Sequence, residues 1–220
     1  GGVPVGRDRA AVAMARLIRG MDTCGSLGEP HRLRAAQLLR AMWGEVPVPE
    51  VLWVDATPAS LGHPFLIAGF LEGTVQPEGG KKASGLGMYF EPRLRDGLKD
   101  QFVRHLARIH RVDWRNRDLS SYDRPEPGTL QGNAWSLGVW ERVWHEDVLE
   151  EHPIMEYAAD WLKRNMPVVE KPVVVHGDYR SGNFMYTDDL QINAVLDWEL
   201  AHIGDHHEDL SYTASEILGC

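Results

Sequence analysis

Three short apolar runs near the carboxyl end restrict the possible folds of this chain more than any other feature. Val173-Val174-Val175, Phe184-Met185-Tyr186 and Ile192 to Leu196 are each too short for a stable helix and rich in β-branched or aromatic residues, so they read as strands. Thr187-Asp188-Asp189 closes the last two into a hairpin. Between the first two lies a polar loop, His176-Gly177-Asp178-Tyr179-Arg180-Ser181-Gly182-Asn183. Apolar strands with such a loop between them bring polar side chains to their mouth, and Asp197, at the end of the hairpin, returns toward the same place.

The rest of the chain is mostly helical in pattern. Gly28-Glu29-Pro30 is a helix start signal, and Leu33, Gln37, Leu38, Ala41 and Met42 share one side of a helix ending near Gly44. Val51 to Val54 and Phe65 to Ala68 read as an antiparallel strand pair. Gly, Lys and Ser dominate residues 77–87, which predicts a linker. Leu94, Leu98, Phe102, Leu106 and Ile109 recur at spacings of three and four, so Pro92 to Arg111 is expected as a core helix. Two further helices are expected over Trp135 to Glu150 and Pro153 to Asn165. The second would bury Ile154, Tyr157, Ala158, Trp161 and Leu162, and Trp135, Trp140, Trp144 and Trp161 read as core.

At 220 residues the chain is large enough for one or two domains with a real core. A formal net charge of −9 argues against broad binding to nucleic acid or to anionic membrane, and no apolar run is long enough to cross a bilayer. Cys24 and Cys220 form no metal-like grouping, so the expected setting is a reducing cytoplasm. The chain opens on Gly1-Gly2 in place of Met and closes in a stretch that reads as the start of a helix, so further chain is expected at both ends. Oligomeric state is not legible.

Asp178 and Asn183 share one loop, and Asp197 follows once the hairpin has returned, so the three could meet at one point. Convergent oxygen donors of this kind suit Mg²⁺, which it commonly shares with substrate phosphates. A carboxylate left free of metal can take a proton from an attacking hydroxyl, and Arg180 could neutralise a transferring phosphoryl group. The pattern His-Gly-Asp-x-x-x-x-Asn, followed by an Asp closing a hairpin, resembles the aminoglycoside phosphotransferase and choline kinase group, distant relatives of protein kinases. Asp197-Trp198-Glu199-Leu200-Ala201 with Gly204-Asp205 looks most like the phosphotransferase modules related to those joined to acyl-CoA dehydrogenases. Val46-Pro47-Val48-Pro49, Leu61-Gly62-x-Pro64-Phe65 and Phe70-Leu71-Glu72-Gly73 extend the resemblance over most of the chain.

The resemblance implies an α+β, protein kinase-like two-lobed fold. Residues 1–72 would be a reduced or truncated nucleotide-binding lobe with its hinge, and residues 73–220 a mainly helical catalytic lobe. It implies ATP and Mg²⁺ as cofactors and a small-molecule hydroxyl as acceptor. Asp178 would be the general base, Asn183 and Asp197 the metal ligands, and Ala68, Gly69 and Phe70 the hinge that meets the adenine. His176 and Asp209 would support the loop. His206 stands where the family usually has Pro. Arg19 is the candidate for the basic residue on the α and β phosphates, with Gly1-Gly2 as the preceding turn, although propensity alone makes Ala10 to Arg19 helical. Its usual acidic partner falls near Arg34 or Ala35, neither acidic, so Glu29 or Glu45 would have to substitute.

Other readings of the same residues stand beside this one. Arg180 could be a surface partner of Asp188 or Asp189. His202, His206 and His207 with Asp205 and Glu208 make a cluster of the kind that binds Zn²⁺ or Fe, and His176, Asp178, Asp205 and His206 could be the ligands of a metal-dependent hydrolase. A kinase-like module that binds nucleotide without turnover is the third.

Overall fold

The structure is a computed structural model that describes residues 31–215 apart from 58–59, 61, 63, 76–81, 84–86, 89 and 151. Gly1-Gly2, Arg19 and Glu29, and with them the expected phosphate-clamp segment, lie outside the described residues.

Helix α1 (His31–Met42) ends in a turn at Gly44, whose φ of +84° a side chain would strain, and the expected start signal Gly28-Glu29-Pro30 lies outside the described residues. Its buried side, Ala36, Leu38, Leu39, Ala41 and Met42, continues into Val46 and Val48. Strands β1 (Val51–Asp55) and β2 (Phe65–Ala68) pair antiparallel, with Val51 opposite Ala68 and Asp55 opposite Phe65. Within the expected linker a small ribbon stands instead: β3 (Lys82–Ala83) pairs with β4 (Gly87–Met88).

Helix α2 (Pro92–Arg111) matches its periodicity, with Leu98, Leu106 and Ile109 buried. A 3₁₀ turn at Trp114–Asn116 follows and sets the Trp114 ring in the core, where its Nε1 donates to the Pro172 carbonyl at 2.8 Å. Helices α3 (Gln131–Asp147) and α4 (Pro153–Arg164) come next, and α3 starts four residues earlier than its pattern suggested.

Strand β5 (Val173–Val175) is buried at all three positions and pairs antiparallel with β8 (His202–Gly204), a strand too short to stand out from its composition. Strands β6 (Phe184–Tyr186) and β7 (Ile192–Val195) form the expected hairpin. The closing helix α5 (His206–Thr213) begins after Asp205, whose side chain caps the His207 N–H at 3.0 Å.

One core joins these parts. Leu38, Met42, Val46 and Val48 pack with Leu106, Ile109, Val112 and Trp114, and with Val174, Tyr179, Val195, Trp198 and Ile203 around the polar loop. Two backbone links tie the amino-terminal third to the hairpin: Val195 N–H donates to Pro47 at 2.7 Å, and Thr74 and Tyr186 exchange hydrogen bonds at 2.8 and 3.0 Å. No described helix is long and apolar enough to cross a membrane.

Helix α4 overturns one expectation. Its apolar spacing is real, yet none of its residues is buried, and Ile154 and Tyr157 are 71% and 63% exposed. Trp161, Trp135 and Trp140 are likewise exposed and are not core. The reason is packing: among the described residues α4 meets chiefly α3, to which Lys163 and Glu141 pair at 2.5 Å, and no layer lies over its other side.

Candidate active site

The loop between β5 and β6 is held from below by a buried acid. Asp209 in α5 has no exposed surface, and its two oxygens accept the backbone N–H of His176 at 2.8 Å and of Gly177 at 2.9 Å. His110 from α2 adds a bond to the same carboxylate at 2.8 Å. Burial pushes the Asp209 carboxyl upward, but these donors outweigh it and hold the group below the usual carboxylate range. Gly177 sits at φ +83°, and a Cβ there would lie 2.8 Å from the Leu200 carbonyl, so glycine is required twice over.

His176 is fully buried and bonded at both ring nitrogens. Nδ1 accepts from the Asp178 N–H at 3.3 Å, and Nε2–H donates to the Leu196 carbonyl at 3.0 Å, which selects the neutral Nε2–H tautomer. Burial pushes its pKa down to about 4. Leu196 immediately precedes Asp197, so His176 ties the loop to the hairpin end. The ring also packs at 4.5 Å on Trp198, and Tyr179 anchors the loop's other side through its hydroxyl to the Phe102 carbonyl at 2.7 Å.

Above this support the predicted polar residues come together. Asn183 Nδ2 donates to the Asp178 carboxylate and, at 2.9 Å, to the Asp178 backbone carbonyl, which leaves the Asn183 amide oxygen as its remaining acceptor. The Asn183 carbonyl in turn accepts the Leu196 N–H at 2.8 Å and draws the Asp197 segment alongside. Asp197 has φ +62°, a left-handed conformation that Asp tolerates at a cost of about 1 kcal/mol or more. As a residue Asp197 is open to solvent, while its carboxyl end is partly shielded; that shielding, followed by the nearby Asp178 charge, raises its pKa.

Arg180 Nε donates to Asp178 Oδ1 at 2.9 Å, so its partner is Asp178 and not Asp188 or Asp189. Burial works against the guanidinium charge, and the Asp178 contact outweighs it and raises the pKa further. The pairing that sequence reasoning missed is Tyr212, whose hydroxyl donates to Asp178 Oδ1. Its signal was available: Tyr212 lies three positions after Asp209, on the same face of a helix.

The hinge candidates lie where β2 ends. Ala68 pairs with Val51, and Gly69 N–H donates to the Glu50 carbonyl at 2.8 Å, so that donor is spent within the protein. Phe70 is 61% exposed. Glu45, one of the substitutes considered for an acidic clamp partner, pairs with Arg117 at 2.5 Å. Arg34, at the other expected position, lies over the Tyr122 ring at 4.5 Å.

The histidine cluster separates from this site. Candidate ligand atoms of Asp205, His206 and His207 lie within 4.8 Å of one another, but both ring nitrogens of His176 are committed elsewhere and Asp178 is engaged by Asn183, Arg180 and Tyr212. His176 and Asp178 therefore do not join Asp205 and His206 in one ligand set, and the hydrolase site is not assembled.

The family model described as the phosphotransferase enzyme family matches residues 27–219. The chain belongs to this family. Mouse acyl-CoA dehydrogenase family member 10 is 29% identical over 171 residues, which cover 76% of this chain and 15% of that protein. A Ralstonia eutropha structure assigned as an aminoglycoside phosphotransferase is 28% identical with a TM-score of 0.67, over 83% of this chain and 54% of its own. The GDP complex of an aminoglycoside 2'-phosphotransferase shares the fold at 18% identity and a TM-score of 0.56, over 84% of this chain and 60% of its own. The chain thus spans about half the length of these solved structures and a smaller share of the mouse relative. Its fold is the kinase-like fold of the phosphotransferases.

Proposed function

We propose that this protein transfers the γ-phosphoryl group of ATP to a hydroxyl on a small molecule, with Mg²⁺ as cofactor. The observation that carries the reading is the contact of Asn183 with both Asp178 and Leu196, which gathers Asp178, Asn183 and Asp197 at one loop end. The donor set fits a hard cation, because the Asn183 amide oxygen and the Asp197 carboxylate are both oxygen ligands beside a solvent-open face. Bound there, Mg²⁺ would neutralise charge on the nucleotide phosphates.

Asp178 orients the acceptor hydroxyl and takes its proton as the oxygen attacks the γ-phosphorus in line. Arg180, already beside Asp178, offsets negative charge at the transferring group. His176 and Asp209 act through the backbone, keeping the loop in the one conformation in which these groups meet. Ala68, Gly69 and Phe70 border the nucleotide, with contacts drawn from backbone groups other than the Gly69 N–H, and Arg19 serves the α and β phosphates. Residues 1–72 and 73–220 form the two lobes. The GDP bound by a structural neighbour supports a purine nucleotide. The acyl-CoA dehydrogenase relative favours a hydroxyacyl thioester or a similar metabolite as acceptor over an antibiotic.

Calorimetry with Mg·ATP and Mg·GTP tests the site. Asp197→Ala should abolish binding of the preferred nucleotide, and Asp178→Asn should spare binding while removing phosphoryl transfer. Equal nucleotide affinity in wild type and Asp197→Ala would overturn the assignment.

A further inference from the structure

An ionised carboxylate offers about four lone-pair sites. Among the described residues three donors engage the Asp178 carboxylate: Tyr212 Oη and Arg180 Nε on Oδ1, and Asn183 Nδ2 on Oδ2. One acceptor position remains, on Oδ2, and one is what an incoming hydroxyl needs. The donors on Oδ1 differ in origin. Arg180 belongs to the same loop and moves with it, whereas Tyr212 stands 34 positions away on α5.

Helix α5 is in fact the loop's scaffold. Asp209, Tyr212 and Thr213 fall at positions i, i+3 and i+4, one face of the helix, and each holds a different part of the loop. Asp209 takes the His176 and Gly177 N–H groups, Tyr212 the Asp178 carboxylate, and Thr213 Oγ1 the Tyr179 carbonyl at 2.8 Å. Two of these contacts fix backbone; only the phenol fixes the side chain that would react.

We propose that Tyr212 is a positioning residue for phosphoryl transfer: its hydroxyl, with Arg180, saturates Oδ1 of Asp178 and so presents Oδ2 to the acceptor hydroxyl. This rests on the reading of Asp178 as the base. A phenylalanine at 212 would keep the ring and its packing but leave Arg180 Nε as the remaining donor on Oδ1, so a second acceptor position would open there and Oδ2 would no longer be the single site offered to the acceptor hydroxyl. The phenol's own environment agrees with the contact, since burial, then the bond to Asp178 and its charge, push its pKa up to about 12.

The experiment compares wild type, Tyr212→Phe, Asp178→Asn and the double variant in the 220-residue chain, using steady-state Mg·ATP hydrolysis with water as acceptor. Tyr212→Phe should lower kcat about ten- to a hundred-fold with KM for Mg·ATP and the melting temperature unchanged, the size expected for a misplaced reacting group. It should lower nothing further when Asp178 is already Asn. Independently of turnover, NMR of ring-labelled tyrosine should show the Tyr212 phenol titrating near 12 in wild type and nearer the ordinary value of about 10 in Asp178→Asn. A phenol titration unmoved by Asp178→Asn, or a kcat loss that multiplies with that of Asp178→Asn, would overturn the proposal. Wild-type hydrolysis by Asp178→Asn would instead remove the reading of Asp178 as base, and the titration would still decide the contact.

Discussion

Lowering the pH from 7 to 5 should cost this protein about 2 kcal/mol of stability through His176 alone. The imidazole is fully buried, both nitrogens are bonded in the neutral form, and burial holds its pKa at about 4 against an ordinary value near 6.5. In the unfolded chain the ring is protonated first as pH falls, so the unfolded state binds more protons throughout this interval. Stability from this group is therefore complete above about pH 6.5 and declines as pH drops toward 4, with a total near 3 kcal/mol. His105, buried in α2 and held near 4 by burial and by Arg108 and Arg104, acts in the same direction. Urea unfolding of wild type and His176→Gln at pH 7, 6 and 5 measures the effect. Gln keeps a donor for the Leu196 carbonyl and cannot titrate, so the variant should be less stable at pH 7 and lose only about half as much on acidification. An identical pH slope in the two proteins would refute the reasoning, because it would mean that the folded state does not suppress protonation at this position.

Gly177→Ala should destabilise the fold by about 3 kcal/mol or more, read as a lowered urea midpoint, since a methyl group would meet the Leu200 carbonyl at 2.8 Å on a backbone with φ +83°. Asp209→Ala should cost about 3–5 kcal/mol by the same measurement, because two buried N–H groups and His110 lose their shared acceptor. Trp161→Ser should change stability by no more than about 0.5 kcal/mol, as the ring is 52% exposed on α4; a loss of several kcal/mol would show that this face is covered in solution.

Much of the site could be read from the chain because its determinants are local. Gly177 and Gly182 take φ values of +83° and +100°, and the loop they bend is only eight residues long between two apolar strands. Spacing alone therefore brings Asp178 and Asn183 together, and a short hairpin returns Asp197 beside them. The α2 helix and the β6–β7 pair were legible for the same reason, since period and turn chemistry act over a few residues. Strand β8 was not, because three residues carry too little pattern to be told from a loop.

What the sequence alone determined, then, is the set of elements and the oxygen-bearing residues of one loop, each set by neighbours within about a turn of chain. Only the tertiary structure decided how distant groups complete them: which N–H groups the expected support Asp209 accepts, Tyr212 beside the loop, His110 joined to Asp209 across 99 positions, and Arg180 turned to Asp178. It also decided that the apolar side of α4 lies exposed, which no period can reveal, because amphipathic spacing shows that a helix has an apolar side and not what packs against it.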